Sequence, residues 1–218
     1  VDVSTYLRRK DELKKAEPRA RHVCYSCRQA GFGCYCEFVR PFESPIHFVI
    51  LIHPIEVKRR IATGRMAHLC LKNSTLIEGQ EFSENEKVRQ IVADDKNHCV
   101  VLYPGRHSVN LSQLSSKERT WIVPDGKTLV IFVIDGTWNT AGRMIRNQHL
   151  FHLPRISFEP GAPSRFRVRK QPAPEFLSTI EAIHQTIDLF AEGGSREHDN
   201  LLTVFDQMVE FQLRFTEV

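Results

Sequence analysis

Long hydrophobic runs are scarce in this sequence. The longest, Phe48–Ile52 and Leu129–Ile134, fall far short of the roughly 20 helical residues that cross a bilayer. No signal-like apolar segment opens the chain, although it begins on Val1 and not on Met, so that absence carries little weight. Internal repeats and low-complexity tracts are missing, and nothing in the composition suits a fibrous protein. What remains is 218 residues, 41% hydrophobic and 26% charged, enough for one good core and a small appended module. That balance excludes intrinsic disorder, and a cytoplasmic domain with no membrane partner is expected.

Neither sign of charge dominates, with 30 Lys and Arg against 26 Asp and Glu. The placement is uneven. Residues 143–170 hold seven basic side chains and one acidic, whereas residues 171–218 hold nine acidic and two basic. A basic stretch in a balanced domain suits a polyanion partner; it equally suits a solvated face paired with the acidic C-terminal region.

Short apolar runs alternate with helical patterns, which predicts an α/β domain with a mostly parallel sheet. Strands are expected at His47–Ile52, His98–Tyr103, Leu129–Ile134 and, more weakly, Leu150–Ile156. Helices are expected at Pro54–Lys72, Ser83–Asp94, where Ser83 and Glu86 have capping-box spacing, and Asn139–Asn147. Two more should close the chain. One carries Phe176, Ile180, Ile183, Ile187 and Phe190, the other Leu201, Val204, Phe205 and Met208, each as an apolar stripe. The proline-rich basic segment 157–174 reads as a long surface loop.

Four of the six cysteines, Cys24, Cys27, Cys34 and Cys36, fall within thirteen residues. C-x2-C followed by C-x-C, with Gly31 and Gly33 at the bend, suits four thiolates converging on a structural zinc ion. An iron–sulfur cluster uses the same ligands, and a disulfide pair is disfavoured in a reducing compartment. Cys70 and Cys99 sit in apolar patterns and read as core.

In open α/β sheets ligands gather beyond the carboxyl ends of the strands. Here those ends read His53-Pro54-Ile55-Glu56, followed by Arg59, Arg60 and Thr63-Gly64-Arg65; Tyr103-Pro104-Gly105; and Asp135-Gly136-Thr137-Trp138. Singly, each has a structural explanation as a turn or a helix cap. Together with the cysteine cluster they form a pattern. The chain resembles the DTW-domain family, whose Asp-x-Thr-Trp signature matches Asp135–Trp138. The family's cysteine motif, its His-Pro-x-Glu and Tyr-Pro-Gly steps, and its Leu-Ser-Thr-x-Glu-Ala segment (Leu177, Ser178, Thr179, Glu181, Ala182) match as well. The resemblance spans about residues 22–190. One departure is Ala62, where the family's Asn is expected before Thr-Gly.

The resemblance implies a tRNA-uridine aminocarboxypropyltransferase, which moves the 3-amino-3-carboxypropyl group of S-adenosylmethionine to N3 of a tRNA uridine and releases methylthioadenosine. It also implies a SPOUT-like fold with a C-terminal trefoil knot and helices on both faces of the sheet. The corresponding division is residues 1–42 as an N-terminal helix and four-cysteine zinc module, and residues 43–218 as the catalytic domain. Asp135, Trp138 and His53 are then the expected catalytic residues, with Asp135 as the base for N3. Leu102, Tyr103, Pro104, Gly105, Asp135, Gly136, Thr137, Ser178, Thr179 and Glu181 are expected to hold the donor. Arg59, Arg60, Arg65, Arg143, Arg146, Arg165, Arg167, Arg169 and Lys170 are expected to meet phosphates. A monomer is expected. A methyltransferase using the same donor, or a noncatalytic zinc-containing RNA-binding protein, would share many of these features.

Overall fold

The computed structural model describes residues 23–59, 61–168, 176–191 and 195–214; the Trp138 side chain lies outside the described residues. Six described strands, β1 (His47–Ile52), β2 (Thr75–Glu78), β3 (Asn97–Leu102), β4 (Val109–Asn110), β5 (Thr128–Asp135) and β6 (Arg155–Ser157), form one sheet in the order β2-β1-β5-β3-β6-β4. Every pairing is parallel. The helices are α1 (Pro54–Val57), α2 (Thr63–Cys70), α3 (Glu86–Ala93), α4 (Ser116–Trp121), α5 (Trp138–Met144), α6 (Gln148–Phe151), α7 (Thr179–Phe190) and α8 (Asp199–Leu213).

Side chains alternate across a strand, so a strand apolar at every position must be covered on both sides. Phe48, Ile50, Ile131 and Val133 face a core completed by Met66 and Ala67 of α2, Ile180 and Ile183 of α7, and Phe205 of α8. Val49, Leu51, Val130 and Phe132 face the opposite core, closed by Phe82, Val88 of α3, Met144 and Leu150. Helices therefore pack on both faces, as expected. Among the described residues no helix is long and apolar enough to cross a membrane.

Several boundaries differ from expectation for local reasons. The single helix expected over Pro54–Lys72 is two, because α1 ends at Val57 and the next helix starts only at Thr63, behind a non-helical Ala62. The N-cap of α3 is Asn85, whose side chain accepts from the Val88 amide, while Ser83 turns back to donate to Glu81. The run Leu150–Ile156 begins as helix α6, capped by Asn147, and only Arg155–Ser157 is strand. Phe176 precedes α7, which starts at Thr179. The short edge strands β2 and β4 had no strong sequence signal; helix α4 was not expected, although the Ser115–Glu118 capping box that opens it has the Ser-x-x-Glu spacing in the sequence.

The cysteine segment is not an isolated bead. Its Cys27 and Tyr35 belong to the same buried cluster as Phe42, Phe48 and Phe205. Asn200 of α8 clasps it, accepting from the Arg40 amide at 2.7 Å and donating to the Phe38 carbonyl at 2.9 Å. The N-terminal helix expected within residues 1–22 lies outside the described residues.

Candidate active site and metal centre

The carboxyl ends of β3, β5 and β6 open into a cleft of about 720 Å³, within the roughly 300–1,000 Å³ typical of small-molecule sites. Leu102, Tyr103 and Pro104 line it from β3, Asp135, Gly136 and Thr137 from β5, and Phe158 and Phe166 from the loop after β6. Ser178 and Thr179 close it from the start of α7. Eight of the ten residues expected to hold the donor thus converge on one cleft, although they lie up to 77 residues apart in sequence.

Asp135 is 5% exposed and is gripped from two helices. Its Oδ2 accepts from the Gly64 amide at 3.0 Å and its Oδ1 from the Thr179 hydroxyl at 2.7 Å. Gly64 is the second residue of α2, so the carboxylate sits at that helix's positive end, where anions are favoured. The turn that follows β5 does not use Asp135 as its cap: Thr137 caps α5, accepting from the Thr140 amide at 3.2 Å. Glycine is required at position 64, since a Cβ there would lie 2.5 Å from Asp135 Oδ2 and 2.9 Å from Ile50. At Gly105 a Cβ would meet only the Arg155 side chain, at an ordinary 3.5 Å.

Several other expected residues make structural bonds. His53 is buried and its imidazole is not among the groups lining the cleft. Its Nδ1 accepts from the Ile55 amide at 3.2 Å to cap α1, and its backbone N–H donates to the Asp135 carbonyl at 2.9 Å. Glu181 does not line the cleft either. It accepts from Ser178 and Ser164 hydroxyls and from the Arg165 amide, tying the loop after β6 to α7. The Ser178 and Thr179 hydroxyls both donate inward, to Glu181 and Asp135, and so present no hydroxyl hydrogen to a ligand in this arrangement. Trp138 opens α5. Thr63, Asn139, Phe158, Phe166 and Phe176 line the cleft without having been expected; Thr63-Gly64 was visible as a motif but carried no chemistry of its own.

The basic residues divide sharply. Arg143 and Arg146 are exposed. Arg165 pairs with Asp206 at 2.7 Å and Arg167 with Glu210, both acids on α8, which is the pairing with the acidic C-terminal region weighed from charge alone. Between them Phe166 turns inward and meets Phe205 edge-on. Arg65 is 9% exposed, buried beneath the surface and not displayed on it. Burial lowers its pKa first, then the like charge of Arg28, while Tyr35, Glu78 and Asp135 oppose the shift. Arg59 lies 3.4 Å from Glu56. Arg60, Arg169 and Lys170 lie outside the described residues.

The four thiols of the N-terminal cluster converge, with Cys24 and Cys36 sulfurs 3.7 Å apart and Cys27 and Cys34 sulfurs 3.6 Å apart. Zn–S bonds of about 2.3 Å place tetrahedral sulfurs about 3.8 Å from one another, so the set fits zinc. All four are free thiols. A tight turn with Arg28 in the left-handed region (φ 58°) brings the first pair together. The Cys27 and Ser26 amides hold the Cys24 thiol down to about 6, whereas burial pushes Cys27 and Cys36 up. Cys70 and Cys99 are buried away from this cluster, and burial pushes them up to about 12 and about 11, as inert core thiols. A second group, His184, His198 and Asp199, also brings ligand-type atoms together, but Arg196 already engages both oxygens of Asp199 at 2.8 Å.

Comparison with known proteins agrees with this geometry. A family model described as DTW domain matches residues 21–213. The tRNA-uridine aminocarboxypropyltransferase 2 of Mus musculus is 27% identical over 89% of this chain and 64% of its own. The proteins of that name from Macaca fascicularis and Drosophila melanogaster are 25% and 28% identical, over 93% and 90% of this chain and 67% and 77% of theirs. The chain thus spans about two-thirds of the two mammalian relatives. No solved structure gives a significant match. With the Asp-x-Thr-Trp step at the strand end that floors the cleft, and the match running over nearly its whole length, the chain belongs to the DTW-domain family.

Proposed function

We propose that this protein transfers the 3-amino-3-carboxypropyl group of S-adenosylmethionine to N3 of a tRNA uridine. The observation that carries the reading is the Asp135 carboxylate, fixed by donors from two helices at the edge of a cleft sized for a small molecule. Bound there, S-adenosylmethionine supplies a sulfonium-activated carbon. As N3 bonds to that carbon, the carbon–sulfur bond breaks with its electron pair on sulfur, and methylthioadenosine leaves. Asp135 takes the N3 proton, within the constraint that it already accepts two hydrogen bonds. Leu102, Tyr103 and Pro104 form the apolar wall suited to an adenosine, and the start of α7 at Thr179 suits the donor's carboxylate. Three adjacent carbons are activated, so the wall decides which one meets the nucleophile.

A SPOUT-like, knotted chain path is part of the same reading, supported by the return of residues 176–182 to the strand ends beside Asp135. Zinc in the four-cysteine cluster is supported by the sulfur spacing, and six free thiols suit a cytoplasmic protein. Nucleoside mass spectrometry on unmodified tRNA incubated with protein and donor tests the reaction. An aminocarboxypropyl mass on uridine, lost in Asp135→Asn, supports it. A methyl mass indicates a methyltransferase, and tRNA binding with no new mass across a panel of tRNAs indicates a binding protein.

A further inference from the structure

The cysteine module carries two features that zinc binding does not require. Tyr25, within its first turn, is 96% exposed, and Phe32 is 67% exposed beside Phe211. Singly, exposed aromatics are ordinary on a protein surface; here they occur in the same short module as a cationic notch that Phe32 lines. The notch, of about 160 Å³, is lined by Arg28 of the module and by Lys58 and Arg59 from the end of α1; among the described residues no acidic side chain lines it, and Glu56, 3.4 Å from Arg59, lies outside its wall. That volume is too small for a nucleoside-sized ligand, which occupies sites of about 300 Å³ or more, but it accommodates a phosphate.

The notch is tied to the active-site edge in two ways. Lys58 and Arg59 follow His53, whose backbone N–H donates to the Asp135 carbonyl, by only five and six residues. The buried Arg65 feels the charges of both Arg28 and Asp135. Cations bordered by exposed aromatic rings are the surface that single-stranded nucleic acid needs: the charges meet phosphates and the rings stack on bases.

We propose that the cysteine module is an RNA clamp: Arg28, Lys58 and Arg59 hold a phosphate flanking the target uridine, and Tyr25 and Phe32 stack on neighbouring unpaired bases. This rests on the tRNA reading above. The module thereby takes part in substrate binding as well as in folding.

The test measures binding of an unmodified tRNA transcript to the metal-loaded full chain by fluorescence anisotropy at several salt concentrations. The Tyr25→Ala/Lys58→Glu variant changes two exposed side chains, so its zinc content and its affinity for S-adenosylmethionine should equal those of the unaltered protein. Its tRNA affinity should fall roughly tenfold or more, with a shallower salt dependence, by about one unit of slope for each phosphate contact removed. Equal affinity and slope in the variant overturn the clamp while leaving the tRNA reading intact. If the unaltered protein binds S-adenosylmethionine but no tRNA, the tRNA reading falls and the clamp with it. The single variants Tyr25→Ala and Lys58→Glu separate stacking from charge: only the second should alter the salt slope.

Discussion

Asp135 and Gly64, 71 residues apart, meet as carboxylate and backbone amide at 3.0 Å, so the end of β5 caps helix α2 where it packs on the sheet. Helix propensity alone would favour Ala over Gly at position 64 by about 1 kcal/mol. Sterics reverse the sign, because the new methyl group would overlap both Asp135 Oδ2 and the buried Ile50 side chain. If Asp135 is the proposed base, Gly64→Ala should leave the circular dichroism spectrum native-like and cut kcat by about 100-fold, the cost of moving such a group by about 1 Å. Unchanged kcat would show that the position of Asp135 does not limit turnover.

Ala62 is the N-cap residue of α2 and makes no side-chain cap. It is also the position where the family's Asn is expected. Ala62→Asn should raise stability by about 1 kcal/mol through a bond to an N-terminal amide, or about 2–4 °C in Tm for a chain of this size. A lower Tm would mean that the buried site cannot accept the larger side chain.

Metal removal should be felt well beyond the cysteines. Cys27 and Tyr35 lie in the principal core, and Gly33 sits so close to Phe211 that a Cβ would come within 2.9 Å of its ring. A strong chelator should release about one zinc per chain and lower the Tm of the whole protein in a single shifted transition. A separate, early transition with the main one unmoved would argue for an independent module.

Arg165 and Arg167 are held by Asp206 and Glu210, in pairs whose four side chains are all more than two-fifths exposed, so each pair is worth no more than about 1 kcal/mol. Phosphates compete with these acids. Asp206→Asn/Glu210→Gln should therefore tighten tRNA binding by a few-fold at low salt, with the difference fading as salt rises. No change would indicate that this basic loop faces away from the RNA.

Arg196 hydrogen-bonded to Asp199 is the main reason that carboxyl is held down at about 2, with His184 adding to the effect. A carboxyl lowered on folding stabilises the native state above its ordinary value of 3.8, and loses that contribution as pH falls toward 2. In Arg196→Ala the folded-state value should rise, and acid unfolding, followed by tryptophan fluorescence, should begin at higher pH. The shift should be small, because Asp199 is substantially exposed.

The sheet was legible where both faces are buried. His47–Ile52 matches β1 end to end, and Leu129–Ile134 lies inside β5, because continuous apolar strands have no competing pattern. The two-residue β4 and four-residue β2 are sheet edges whose pairing depends on their neighbours. The four-cysteine cluster was legible because its ligands are close in sequence. The roles of His53, Glu181 and Arg65 were not, since type and spacing are the same for a ligand-facing group and for one turned inward to cap a helix, tie a loop or lie under the surface. Gly64 was visible only as part of a Thr-Gly motif, without a role, for a related reason: its importance lies in what stands opposite it.

The strand order also sets a timetable for synthesis. On one side β1 has only the short edge strand β2; on the other its partner is β5, which ends 83 residues after β1 does. At about 5–20 residues per second, the first strand waits on the order of ten seconds on the ribosome before its main neighbour exists. During that interval Phe48, Val49, Ile50 and Leu51 have no completed sheet to enter, so this segment is where a nascent-chain chaperone would be expected to bind.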